Sequence, residues 1–123
     1  MKLITLYRPV GQKELDLIKE SGYKKFLPRL EWQPIFYPVM NLAYAEQIAN
    51  EWNTADEFSG YAGYVTSFEI PQDYIAQFPI QNVGGDTHNE LWVPAEQLEE
   101  FNNHIIGEIR VVTSFYGKKF IQK

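Results

Sequence analysis

Asn41 stands directly before "LAYAEQIANEW", residues 42–52, where Leu42, Ala45, Ile48, Ala49 and Trp52 recur at three- and four-residue spacing. That spacing gathers the five on one face of a helix, and the asparagine side chain is suited to accept from a free N–H of the first turn. A helix with one apolar face must lie on something. The neighbouring segments read mostly as strands, so the order of the elements decides the fold class.

"KLITLY" (2–7) is rich in strand-favouring residues, and "QKELDLIKES" (12–21) follows as a helix with Leu15 and Ile18 on one face and Gly22 as its stop. After the loop "YKKFLPRLEWQ", the segment "PIFYPV" (34–39) reads as a short strand. Pro38 has no N–H for a ladder and belongs at a strand end or sheet edge. Beyond the polar turn "NTADEFSG", the segment "YAGYVTSFEI" (61–70) alternates so that Tyr64, Phe68 and Ile70 share a face, while Gly60 and Gly63 permit close backbone approach. A short helix "PQDYIAQF" opening on Pro71, a brief strand "PIQNV" and a "GGD" turn come next. The strand "NELWV", the helix "AEQLEEFN" after Pro94 and the long strand "GEIRVVTSFYG" follow. Roughly five or six strands and three or four short helices, in no strict βαβ alternation, predict an α+β fold.

At 123 residues, 45% of them hydrophobic, with eight Tyr, eight Phe and three Trp, residues 1–123 are expected to form one domain. Such a chain buries about two thirds of its unfolded surface. The net charge of -5 and the scattering of eleven basic residues, densest at "YKK" and "GKK", argue against a nucleic-acid surface. An anionic small molecule held by one or two basic groups stays open. The absence of cysteine excludes disulfides, thiolate metal sites and thiol nucleophiles. No apolar run reaches the length of about 18 residues that a membrane helix needs, and "MKLITLYRPVG" lacks the form of a signal peptide. The protein is therefore expected to be soluble and cytoplasmic.

The chemistry must come from oxygen and nitrogen groups. His88 and Glu90 share one side of an extended chain but are too few to suggest a zinc site, and His104 belongs to no HExxH pattern. Ser67 and Ser114 lack a G-x-S-x-G elbow, and "VGGD" lacks a following P-loop lysine. Three polar residues remain on or beside strands: Arg8 near the end of the first, Tyr37 in the second and Glu90 at the start of "NELWV". Each also has a structural reading, as a paired surface arginine, a core aromatic and a solvated strand-edge charge.

Taken in order, "LYRPVGQKELDLI", "PIFYPVMNLAYAEQIANEW", "GYVTSFEIP" and "HNELWVPAEQLEEFNNHIIGEIRVV" resemble, over nearly the full chain, the ADP-ribosyltransferase-like superfamily. Its members carry a basic residue at the end of the first core strand, an aromatic or hydroxyl residue before a helix and a glutamate opening a later strand. Arg8, Tyr37 and Glu90 match those places. The resemblance implies an ADP-ribosyltransferase-like split β-sheet core and NAD as substrate, in ADP-ribosyl transfer or NAD glycohydrolysis. Glu90 and Tyr37 would be catalytic, and Arg8, Tyr37 and His88 would hold NAD. Glu90 would stabilise the oxocarbenium that forms as nicotinamide leaves and bind the ribose 2-hydroxyl. Tyr37 would stack on the nicotinamide, and Arg8 would hold a phosphate or ribose hydroxyl. His88 occupies the place where arginine-modifying transferases carry glutamine or glutamate, which speaks against arginine-directed transfer, and no Ser-Thr-Ser strand is present, so the chain resembles the tyrosine-containing subclass or a degenerate member that binds without turnover. The alternative on the same scaffold is a noncatalytic module that engages a partner protein through the acidic helix "AEQLEEFN" and the aromatic loop around Trp32.

Overall fold

Three long strands form the centre of the fold. In the computed structural model, which describes residues 2–26, 35–82 and 89–120, strand β3 (Ala62–Pro71) lies between β1 (Leu3–Val10) and β7 (Ile106–Tyr116), antiparallel to both. The register pairs Leu6 with Phe68, Arg8 with Thr66 and Val10 with Tyr64. Partners across a ladder share a face, so Leu6, Val10, Tyr64, Phe68 and Ile70 gather in one apolar cluster. The face expected for Tyr64, Phe68 and Ile70 is the one observed.

β1 continues past Tyr7 through Pro9, further than "KLITLY" suggests. Tyr7 exchanges hydrogen bonds with Val39, N to O at 2.9 Å and O from N at 2.7 Å, so the N–H groups of odd-numbered residues point away from β3. The N–H that Pro9 lacks would face that same outer side, and the ladder to β3 loses nothing.

Helix α1 (Gln12–Glu20) packs Leu15 and Ile18 into the larger cluster. It ends in a Schellman motif: Gly22, at φ +76°, donates to Lys19 O at 2.9 Å, and Tyr23 donates to Ile18 O at 3.0 Å. The same side of the sheet receives Phe26, strand β2 (Ile35–Phe36), helix α3 (Gln72–Ile75) and helix α4 (Leu98–Asn103), the last preceded by a 3-10 turn at Ala95–Gln97. Phe101, wholly buried, meets Phe36 at 5.4 Å and Phe68 at 5.8 Å between ring centres, both edge-on.

Helix α2 (Leu42–Glu51) covers the opposite face. Asn41 caps it as expected, its Oδ1 accepting from Tyr44 N at 3.1 Å. Ala45 and Ala49 are fully buried against Val39 and Val65, small enough to let the helix axis come close to β3. The apolar face read from the sequence is too long at both ends. Leu42 is 38% exposed and Trp52 72% exposed, because only the middle of the helix rests on the sheet and Trp52 is already its C-cap.

The expected strand "NELWV" divides at Trp92. Strand β5 (Asn89–Leu91) pairs with β4 (Ile80–Asn82), whereas β6 (Val93–Pro94) pairs with β2. The result is a small mixed α+β domain with several antiparallel strands. Among the described residues no helix is long and apolar enough to cross a membrane. The loop around Trp32, the "GGD" turn and His88 lie outside the described residues.

Candidate functional site

One residue joins the two parts of the sheet. Val39 bridges Tyr7 of β1 on one side and Glu90 of β5 on the other. Met40 N donates to Asn89 O at 3.1 Å and Leu91 N to Pro38 O at 2.9 Å, which fixes the backbone on both sides of Glu90. Tyr7, Val39 and Glu90 are cross-strand partners and therefore project to one face, the α2 face. Leu91 and Val93, both fully buried, point the other way into the large cluster.

The Glu90 side chain is only 8% exposed. The Tyr44 hydroxyl donates to its Oε2 at 2.9 Å, and the Trp92 indole Nε1–H donates to its Oε1 at 3.2 Å. Among the described residues the one ion pair joins Arg8 to Glu14, and none of the described cations stands beside Glu90. A buried carboxylate without a counterion is costly unless neutral donors take the place of water, as these two do. Each carboxylate oxygen retains a further lone pair for a ligand hydroxyl.

Tyr44 reports the same arrangement. Its phenol is pushed up to about 12 from 10.0, by burial first, then by the hydrogen bond to Glu90 and the charge of Glu90, with a smaller contribution from Tyr37. Tyr37, directly beyond β2, is 40% exposed and near enough to Tyr44 for its charge to act on that phenol. The structure thus brings Tyr37, Tyr44, Glu90 and Trp92 into one neighbourhood.

Arg8 is elsewhere. It shares its face with Leu6 and Val10, and its guanidinium forms a two-point pair with Glu14 of α1, Nε to Oε2 at 2.8 Å and a terminal nitrogen to Oε1 at 3.3 Å. The Phe36 ring lies 4.7 Å from its Cζ. With 5% of the residue exposed, this arginine joins β1 to α1 and β2. Arg8 and Glu90 leave the sheet in opposite directions. His88, the remaining residue expected to hold NAD, lies outside the described residues.

Sequence reading missed Tyr44 and the hydrogen bond that Trp92 gives to Glu90. Strand alternation already puts Trp92 on the side of Glu90, but Tyr44 is 46 residues from it in the chain and nothing local marks the meeting. Also missed was an open surface depression of about 610 Å³ at the C-terminal end of α2, lined by Glu51, Trp52, Asn53, Ala55 and Asp56.

The raised phenol gives a pH prediction. Burial also pushes up Tyr64 and Tyr74, so three tyrosines hold their protons in the folded state at a pH where the unfolded chain releases them. Stability from Tyr44 is complete below pH 10.0 and is lost as the pH rises toward about 12. Melting temperatures taken across that window should fall steadily in the parent, and less steeply in Tyr44→Phe. Equal slopes would mean that Tyr44 does not titrate as this geometry requires.

Comparison with protein-family models, with curated proteins and with solved structures finds no match to this chain.

Proposed function

We propose that the chain binds NAD against Tyr37 and Glu90 and cleaves the bond between nicotinamide and ribose, the ADP-ribosyl group passing to water or to an acceptor. The observation that carries this reading is Glu90 itself: a carboxylate 8% exposed, without a cation among the described residues, oriented by two neutral donors. Such a group contributes little to stability for its desolvation and suits a site where positive charge develops during reaction. As the C1–N bond breaks, its electron pair leaves with nicotinamide and the ribose becomes an oxocarbenium. Glu90 stabilises that charge and accepts from the 2-hydroxyl. Tyr37 offers a ring face to the nicotinamide. Tyr44 and Trp92 hold the carboxylate in place without neutralising it. In this reading Arg8 supports the fold and does not touch the dinucleotide, which departs from the role the resemblance implies.

The test is ligand binding followed by turnover. NAD at about 100 times its dissociation constant should add roughly 2.7 kcal/mol to stability, seen as a rise in melting temperature. Tyr37→Ala should abolish that rise, and free nicotinamide should accumulate with the parent protein.

A second reading, a noncatalytic module on the same scaffold, is favoured by Arg8. Its guanidinium is paired with Glu14 and lies against Phe36 on the other face of the sheet, so it does not serve this site as the phosphate clamp expected of it. A melting shift with no nicotinamide release would select a binder, and neither effect would select a module that engages protein.

A further inference from the structure

The central sheet has two edges, and they are finished differently. On the β1 side Val39 exchanges both its bonds with Tyr7, and Pro9 has no N–H to offer, so that edge is occupied. On the other side stands β7, at 11 residues the longest strand, with no further strand beyond it in its sheet. Among the described residues its outer backbone is met only at Ile109, whose N–H donates to Tyr23 O at 2.7 Å. From there to its end β7 presents a row of unused donors and acceptors.

Which groups are unused follows from the ladder. Gly117 N donates to Tyr61 O at 2.8 Å, so residue 117 points toward β3. In an antiparallel strand the N–H and C=O of one residue point the same way, and successive residues alternate. Over the regular pairing of residues 113–116 with 62–65, Thr113 and Phe115 therefore bond to β3, while Ser114 and Tyr116 turn their groups outward. Both are exposed, as are Val111 and Val112 before them.

The side chains along this edge do little to guard it. Residues 111–117, "VVTSFYG", lie between Arg110 and Lys118 with no charge and no proline, and five of the first six are β-branched or aromatic. Lysine, proline and short length are the usual defences of an edge, and all three are missing here. The register shift opposite Val65 and Thr66 turns the strand, but only at the start of this run. A neutral, strand-favouring segment of six or seven residues pairs readily with itself. Its midpoint is Ser114, one of the two outward residues.

We infer that the chain forms a symmetric dimer in which β7 pairs antiparallel with β7 of a second copy, the two-fold axis passing at Ser114. Each Ser114 N–H then donates to the Ser114 carbonyl of the other copy. With the axis at this residue, every position from 111 to 117 lies opposite another of the same neutral run. An axis at Phe115 would instead set Lys118 and Lys119 against Val112 and Val111. The run has no charge with which to choose an acidic or a basic peptide, and it is complementary to itself about its midpoint, so a second copy is the occupant it selects. Two three-stranded sheets become one of six strands. The Glu90 neighbourhood lies beyond the opposite edge, past β1, and the dimer does not depend on NAD cleavage.

Sedimentation equilibrium of the 123-residue chain between about 10 µM and 1 mM should show monomer passing to dimer, the range that suits an interface at the small end of the scale. Salt should favour the dimer, because the two-fold brings Arg110 of one copy toward Lys118 of the other and no opposite charges meet along the run. Ser114→Pro removes the N–H on the axis and leaves the ladder to β3 intact, and Val112→Lys places a charge at an exposed point of the edge. Each should weaken dimerisation at least about tenfold, with circular dichroism to check that each is folded, and Val112→Lys decides alone if the proline variant is not. The chain has no cysteine, so Ser114→Cys carries a single thiol. A short bismaleimide should join it to a second copy and leave Lys24→Cys, in the exposed turn after α1, monomeric. A parent that stays monomeric at every concentration, a dimer that both edge variants leave unchanged, or cross-linking of Ser114→Cys no better than that of Lys24→Cys would overturn the proposal. A dimer that dissociates as salt rises would assign the contact to charged surfaces and equally overturn it.

Discussion

Glu90→Gln should release nicotinamide about 10² to 10³ times more slowly than the parent while melting at nearly the same temperature. The substitution is mild for the fold because the site can accept an amide. Trp92 Nε1–H only donates, so the amide oxygen must face it, in the place of Oε1. The amide nitrogen then faces the Tyr44 hydroxyl, which can turn from donor to acceptor and receive it. Both hydrogen bonds survive and the charge is gone. What remains is the loss of a preorganised negative group beside a developing oxocarbenium, worth roughly 2.7 to 4 kcal/mol of the barrier. Had Glu90 been a solvated strand-edge charge, stability would change by at most about 0.5 kcal/mol and turnover not at all. Nicotinamide release at saturating NAD, with thermal melts of both proteins, separates the cases. Equal release rates would remove Glu90 from the chemistry and with it the support for NAD cleavage.

The elements that can be read from the sequence are those whose signals are local. Asn41 before an apolar three-four pattern gives the α2 cap, Gly22 gives the end of α1, and the alternation from Tyr64 to Ile70 gives the buried face of β3. Alternation also separates Glu90 and Trp92 from Leu91 and Val93, whatever the topology. The errors arise where a distant partner decides. Trp92 interrupts its strand because Val93 pairs with Phe36, far earlier in the chain, while Glu90 pairs with Gln81. Arg8 lies across the sheet from Glu90 because Val39 sets Tyr7, not Arg8, in line with the glutamate. The face of each residue within its own strand is a matter of parity. The relative face of two residues on separate strands depends on the register between them, and no local pattern in the sequence encodes that one-residue stitch.

Gly63→Ala should be strongly damaging to the fold, and should show how closely the site depends on the packing of α2. A Cβ at this position would stand 2.2 Å from Ala49 O, 2.7 Å from Ala49 C and 2.9 Å from Ala49 Cα. All three are backbone atoms of α2, so no side chain can turn aside and the helix itself must lift from β3. Lifting it loosens Ala45 and Ala49 from Val39 and Val65, and draws the Tyr44 hydroxyl away from Glu90. Overpacking usually costs about 1 to 3 kcal/mol, and a clash with rigid backbone belongs at the upper end, near 3 kcal/mol. For a domain of this size that corresponds to a fall of roughly 10 °C in melting temperature. Ultraviolet titration adds a second reading: as Tyr44 leaves Glu90, its phenol should return from about 12 toward 10.0. Gly22→Ala is the control. Its φ of +76° strains an alanine, at about 1 kcal/mol, but a Cβ there meets nothing within 4 Å and lies just past the end of α1, on the side of the sheet opposite α2. The two variants should therefore differ both in stability and in the Tyr44 titration. Matching behaviour would mean that α2 does not rest on β3 through Gly63, and that the alignment of Tyr44 with Glu90 has another origin.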